Sequence, residues 1–335
     1  MPGTESVQPQ VASVSLRAIQ EPVRADLDAV FAELRRIIAS DFPLIADVNR
    51  HLLGIKGKMF RPTLVLLSAG ATNGSARRQV TLAAVIELIH LATLIHDDSV
   101  DHSVLRRGQP TVNALFSHQI AVIMGDYLYS RAIVELVGLD DLEPLRIMSR
   151  VTNEMTVGEM REIEAHDVLD FTLEDYDRLI DAKTASLMSG ACEVGALGGD
   201  PAHREPLKRF GRYLGMAFQI ADDVLDYTST KEVTGKPAGL DLREHKITLP
   251  LIAALPEMTA DERRAVQTLM SDPEPSDEQI AAVVALVGRR GGIDAAHARA
   301  QELALLAEQE LAALAQSRAR DALRDCITYV VERRK

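Results

Sequence analysis

Two stretches of this chain, Val80–Ile95 and Tyr213–Leu225, are apolar nearly all round, and each runs straight into a group of aspartates. A helix that is hydrophobic on every side belongs at the centre of a helical assembly. The first group reads Asp97-Asp98-Ser99-Val100-Asp101 and the second Asp222-Asp223-Val224-Leu225-Asp226. On an α-helix the outer aspartates of each group, four residues apart, stand one turn above each other on one face. Isolated carboxylates at the ends of buried helices cost on the order of several kcal/mol each unless something positive meets them. Their oxygens are hard ligands, and Mg²⁺ takes one or two such groups together with water and substrate phosphates. The two groups therefore predict metal ions held between facing clusters, with coordination positions left open for a diphosphate.

The rest of the chain agrees with an all-α frame. From about residue 22 apolar residues recur at three- and four-residue spacing. The pattern breaks at Gly54–Gly57, Ala71–Ser75, Gly108–Pro110, Gly138–Asp141, Gly198–Pro201 and Thr234–Gly239. No strand–turn–strand pattern is visible, and no Gly-rich loop follows a strand, so dinucleotide and P-loop sites find no support. Without a composition shift to mark a second domain, the chain divides into a flexible lead-in over 1–21 and one helical domain over 22–335. No uninterrupted apolar run is long enough to cross a bilayer, so no transmembrane segment is expected. The first twenty residues lack the basic-then-hydrophobic order of a signal peptide. Cys192 and Cys326 have no metal-ligand spacing and are too few for a disulfide framework, which fits a reduced, cytoplasmic setting. The net charge of −12 speaks against nucleic acid as a partner. It also means that an anionic substrate must be met by metal ions and by a local cluster of basic side chains.

Such side chains stand near the aspartates. Lys58 and Arg61 lie three apart in Gly57-Lys58-Met59-Phe60-Arg61-Pro62, and Arg106 and Arg107 follow the first acidic group. Lys183 and Thr184 open another helix, and Lys236 and Lys246 follow the second group. Any one of them alone reads as a solvated charge; their placement gives them meaning. Arginine suits bidentate phosphate contacts and lysine supplies a point charge, so the set could hold two diphosphates, one through metals and one directly.

These features resemble the trans-isoprenyl diphosphate synthase (polyprenyl synthetase) family, from roughly Leu52 to Arg333. The resemblance is carried by GKMFRP (57–62), ELIHLATLIHDDSVDHSVLRRGQPT (87–111), MGDYLYSRA (124–132), GEM (158–160), KTASL (183–187), FQIADDVLD (218–226) and GKPAGLDLREHKITLPLI (235–252). It implies a helical bundle of the isoprenoid synthase type with a central active-site cavity, usually found as a homodimer. It also implies three Mg²⁺ ions with bound diphosphate, and growth of an allylic diphosphate such as farnesyl or geranylgeranyl diphosphate by isopentenyl diphosphate. Asp97, Asp101 and Asp222 take the place of the family's metal ligands, with Asp98, Asp223 and Asp226 beside them. Arg106, Lys183, Lys236 and Lys246 resemble the contacts to the allylic diphosphate. Lys58, Arg61, His90 and Arg107 resemble the pocket for isopentenyl diphosphate, and Thr184 and Gln219 lie near the reacting carbons and the leaving group.

Three departures stand out: Lys56 precedes Gly57 where the family has a second glycine, Glu162 replaces a usual glutamine, and Glu244-His245-Lys246 replaces Glu-Gly-Lys. Glu162 is accordingly left out of the catalytic set. Short-chain members of the family place a bulky aromatic residue five positions before the first aspartate; here that position is Ala92, followed by Thr93. The growing tail can then pass toward Ile89, Leu88 and Val85, with Tyr129 and Ile133 forming an opposing floor. At about 1.5 Å per residue the first three side chains lie on the order of 12–18 Å below Asp97, and the resemblance then implies a product of about seven to ten isoprene units. A shorter-chain synthase and a class I terpene cyclase are the rival enzymes, and a non-catalytic partner subunit is the rival of another class.

Overall fold

The computed structural model describes residues 14–55, 57–74, 76–164, 168–228 and 238–332. Its principal helices are α1 (Leu16–Gln20), α2 (Arg24–Ile38), α3 (Pro43–Gly54), α4 (Phe60–Ala71), α5 (Ala76–Val100), α6 (Val112–Leu115), α7 (His118–Val137), α8 (Leu142–Glu164), α9 (Leu173–Ile180), α10 (Ser186–Ala196) and α11 (Arg204–Thr228). Further helices follow at Leu240–Arg243, Leu249–Ala254, Ala260–Ser271, Asp277–Arg289, Gly292–Glu310 and Arg318–Val331.

Helix α5 occupies the middle of the bundle because it has no polar face to give to water. Leu82, Ala83, Ala84, Val85, Ile86, Leu88, Ile89, Ala92 and Ile95 are all buried, packed by α2, α4, α7 and α10. Helix α11 is buried through the same logic over its second half, against α10 and Gly292–Glu310. Both acidic groups thus arrive at one end of the bundle on its two innermost helices.

Three sequence expectations are corrected. The stretch Arg78–Val100, whose most apolar 18-residue window has a mean hydropathy of 1.5, is long and apolar enough to cross a membrane, although 61% of that window is buried inside the bundle. Glu87, His90 and Thr93 interrupt the apolar run but leave its mean high enough for a membrane span, which is why counting uninterrupted residues passed it over. The lead-in does not extend over all of 1–21, because residues 14–21 are packed onto the body. The Ser15 side chain accepts from the Ala18 N–H to start α1, Ile19 is fully buried, and Gln20 Nε2 donates to Lys58 O (2.9 Å) and Thr63 Oγ1 (3.0 Å). A small antiparallel hairpin also exists, pairing β1 (Leu105–Arg106) with β2 (Gln109–Pro110). Its two-residue turn places Arg107 at φ 52° and Gly108 at φ 73°, the doubly left-handed geometry that suits the twist of paired strands. An Arg-Gly pair is a weak turn signal, so sequence alone did not announce it.

Candidate active site

The first acidic group continues the α5 helix, with the Asp101 N–H donating to Asp97 O at 2.8 Å. Its three carboxylates do different things. Asp97 faces the cleft, and burial pushes its carboxyl up to about 7 against the pull of Lys183. Asp98 is buried and turned toward the hairpin, accepting from Arg106 Nε with both oxygens at 2.8 and 2.9 Å. Burial raises its carboxyl even so, with Arg106 working in the other direction. Asp101 sits at the exposed rim, 3.8 Å from Lys246 Nζ.

The second group is equally divided. Asp222 lines the cleft. Asp223 accepts from the Tyr176 hydroxyl and from Gln219 Nε2 (2.9 Å), and burial lifts its carboxyl to about 7 despite both bonds. Gln219 in turn accepts from Thr184 Oγ1 at 2.8 Å, so Thr184, Gln219, Asp223 and Tyr176 form one hydrogen-bonded chain. Asp226 is spent on the backbone, accepting the N–H groups of Leu240 and Asp241 (3.1 Å each) and thereby starting the short helix Leu240–Arg243.

The cleft's lysines come already paired. Lys183 lies in a π-helical turn, Asp181–Ala185, pressed so closely on α8 that a Cβ at Gly158 would meet its backbone nitrogen at 2.7 Å. A bulge of this kind re-aims a side chain within a helix and is common at functional sites. Its Nζ contacts Glu159 (2.8 Å) and, more closely still, Glu162. Burial would weaken its hold on the proton, but the two glutamates outweigh this and its pKa is raised. Lys246 pairs with Glu244 at 2.8 Å. Lys236 lies outside the described residues, as does Lys56.

The four residues expected to hold the second diphosphate are only partly gathered. Arg61 Nη1 lies 3.0 Å from His90 Nε2 inside the cleft. Burial, then Arg61, Arg107 and Arg106, hold the His90 imidazole well below its ordinary value, so it is neutral. Arg107 stands beside Gly57, where a Cβ would meet its Nη1 at 3.4 Å. Lys58 is exposed and lines a separate, outward hollow.

Two participants were missed by sequence reasoning. Glu159 lies in the GEM segment, quoted there without a role. Asp241 lines the cleft, and burial followed by Asp223 and Asp226 pushes its carboxyl up to about 8. The signal for both was their place inside motifs already in view.

Among the described residues no three His, Cys, Asp or Glu side chains converge to hold an ion by themselves. The donors facing the cleft are carboxylates, the chemistry of a hard cation that completes its shell with water and phosphate. Asp97, Asp223 and Asp241 are each buried and each raised further by neighbouring carboxylates, which fits such a cation, since a positive charge nearby would favour their ionised forms.

Beside the cleft a second hollow of about 560 Å³ runs along α5 past Asp97, His96, Thr93, Ala92 and Ile89. The two spaces share Thr93, Asp97, Met155, Glu159 and Lys183. Ala92 and Thr93 both line the hollow. Leu88, in contrast, is fully buried and does not line the space, and Ile133 is exposed rather than at the floor. Tyr129 does line it, and its hydroxyl donates to Thr152 Oγ1 at 3.0 Å, tying α7 to α8. His96 fills the wall where Gly125 leaves space, since a Cβ there would sit 2.2 Å from its Nε2. Polar side chains form the wall on the α8 side, where Ser149, Thr152, Asn153 and Thr156 all border the hollow.

Residues 42–287 match the family model described as Polyprenyl synthetase. Over 319 residues the chain is 40% identical to the all-trans-nonaprenyl-diphosphate synthase (geranyl-diphosphate specific) of Rhodobacter capsulatus, covering 94% of this chain and 97% of that one. It is 36% identical over 325 residues to heptaprenyl diphosphate synthase component 2 of Geobacillus stearothermophilus, covering 96% and 99%. The crystal structure of a polyprenyl synthase from Caulobacter crescentus CB15, complexed with calcium and isoprenyl diphosphate, superposes with a TM-score of 0.91 at 32% identity, covering 98% of this chain and all of that one. With its helical bundle, its two aspartate groups at one mouth and an open hollow behind them, the chain belongs to the polyprenyl synthetase family and is a prenyltransferase.

Proposed function

We propose that the protein is a magnesium-dependent all-trans polyprenyl diphosphate synthase that adds isopentenyl diphosphate units to an allylic diphosphate and makes a medium- to long-chain product. The observation that carries this reading is the continuity of the charged cleft with the α5 hollow at Asp97, Thr93 and Lys183. A diphosphate can be held at one end while its hydrocarbon enters the other.

Asp97, Asp101 and Asp222 would hold the magnesium ions, three of them with bound diphosphate on the family pattern. Bound there, they supply electrophilic stabilisation of charge on the departing diphosphate. The chain's own cations, Arg106, Lys183 and Lys246, add positive charge aimed at the same oxygens, the arrangement that lowers the barrier as charge develops. The C–O bond of the allylic diphosphate breaks with both electrons going to the diphosphate. The isopentenyl double bond then forms the new C–C bond, and one proton leaves to regenerate an alkene. The released diphosphate accepts that proton. Neutral His90 and the hydrogen-bonded Thr184–Gln219 pair position the reactants without competing as bases. Holding both substrates in line turns an encounter into an effectively unimolecular step.

The exposed apolar side chains on α7 and α8, among them Ile123, Val134, Val137, Val157 and Met160, support a homodimer that covers the polar-walled side of the hollow. Two buried free thiols, Cys192 and Cys326, fit a reduced cytoplasmic setting. The test is incubation with Mg²⁺, farnesyl diphosphate and labelled isopentenyl diphosphate, followed by mass spectrometry. A ladder of products beyond twenty carbons is expected. Products ending at fifteen or twenty carbons would defeat the chain-length reading. No incorporation from either farnesyl or geranylgeranyl diphosphate would favour a subunit that needs a second component.

A further inference from the structure

A hollow of about 430 Å³ opens on the surface beside α1 and α2, lined by Arg17, Gln20, Arg24, Asp28, Lys58 and the apolar Leu27, Phe31 and Met59 around Gly57. Three cations and one carboxylate border it, in a chain that carries 37 basic and 49 acidic residues. Among the described residues, none of Arg17, Arg24 and Lys58 makes an ion pair within 4 Å, whereas the cleft lysines Lys183 and Lys246 are both engaged by glutamates. The positive charge here is therefore available to an incoming anion.

Its position is fixed by packing. Ile19 is buried under α1, and the Gln20 amide grips Lys58 O and Thr63 Oγ1, so the N-terminal helix is fastened to the basic loop itself. Inward, the hollow shares Phe31, Gly57 and Met59 with a small internal cavity that reaches His90, Arg106 and Arg107. Arg17 and Arg24 thus stand at the outer end of a line of cations that runs through Lys58 toward Arg107.

Resting on the synthase reading above, we propose that Arg17 and Arg24 form with Lys58 an outer diphosphate site that receives isopentenyl diphosphate before it reaches Arg61, His90 and Arg107. A compact cationic patch on an acidic protein raises the local concentration of a small polyanion and speeds its capture. The allylic diphosphate, bound through metals in the cleft, has no part in this site.

The test compares the full-length protein with the R17Q/R24Q double variant. Isothermal titration with isopentenyl diphosphate alone should show binding weakened about fivefold, the scale expected for losing two exposed charge contacts. In turnover, KM for isopentenyl diphosphate should rise by a similar factor and its salt dependence should flatten, while KM for farnesyl diphosphate and kcat stay within about twofold. The charge-preserving R17K/R24K variant should restore affinity, and D28N should tighten it. Unchanged titration in a folded R17Q/R24Q protein overturns the proposal, as does an equal rise in KM for both substrates. If the double variant does not fold, R17Q alone carries the same comparison. No binding of isopentenyl diphosphate to the unaltered protein would overturn the synthase reading as well, whereas normal binding with no effect of the arginines removes only this site.

Discussion

The charged cleft and the tail hollow share one helix and one wall, yet they are specified in opposite ways. In the cleft nearly every group is named by chemical type. Carboxylates, lysines and arginines at set spacings can do little else, and each is pinned by a partner: Asp98 by Arg106, Asp223 by Tyr176 and Gln219, Lys183 by Glu159 and Glu162. In the hollow function follows from what is missing, a large side chain at Ala92 and a Cβ at Gly125, and from how far α7 stands from α8. The cleft is therefore sensitive to charge at fixed volume and the hollow to volume at fixed charge.

The largest effect should come from the cleft. Asp97→Ala removes the carboxylate at the shared mouth and, on the proposed metal role, should lower kcat by about 10³-fold, on the scale of losing a principal electrostatic contact. The protein should stay folded, because the change relieves a buried charge; steady-state kinetics with a melting curve would decide. Activity within tenfold of the parent would show that Asp97 does not hold the metal.

Ala92→Phe tests the other half at fixed charge. It should stop elongation near fifteen or twenty carbons while the first condensation keeps its rate within about threefold, since the reacting groups at Asp97 lie over a turn away. Mass spectra of the products read this directly. Loss of all condensation instead would mean that the two regions are not separable.

The third prediction concerns protons. Asp97, Asp223 and Asp241 are raised to about 7, 7 and 8, above the value near 4 of an unfolded carboxyl. The folded chain therefore keeps protons that the unfolded chain releases between about pH 4 and 8, so stability without metal should fall as pH rises through that window. The melting temperature should drop by several degrees from pH 5.5 to 8.5, and Mg²⁺ with inorganic pyrophosphate should restore it at the high end. A flat profile would mean these carboxylates are already compensated. The smallest effect is expected from Tyr129→Phe, which removes the hydroxyl bridge to Thr152 and should broaden the product distribution by about one isoprene unit, with little change in kcat.

This contrast also explains what sequence could convey. The bundle, the two innermost helices and the aspartate groups were legible because each combines helical periodicity with a residue type that demands a partner. Ala92 was legible because an absence on a known helix face has a definite depth. Lys58 was not, because the course of its loop is set by packing against α1, whose Gln20 bonds the Lys58 carbonyl from far off in sequence. Leu88 and Ile133 were misplaced for a related reason. The rotation of α5 and α7 about their own axes is set by packing on several neighbours at once, and spacing fixes a face only relative to other residues on the same helix. The roles of Glu159 and Asp241 appear only when α8 and the short helix Leu240–Arg243 stand beside the aspartates.

Helix α5 carries both the cleft-facing Asp97 and the side chains that border the hollow, on one unbroken rod. That makes it a graduated rule with its zero at the diphosphate. Each turn below Asp97 offers a new stop about 5.4 Å further on, and moving the stop leaves the zero undisturbed. A lineage with this architecture can retune the length of its lipid by one substitution at a time, at Thr93, Ala92, Ile89 or deeper, and remain a working enzyme at every step.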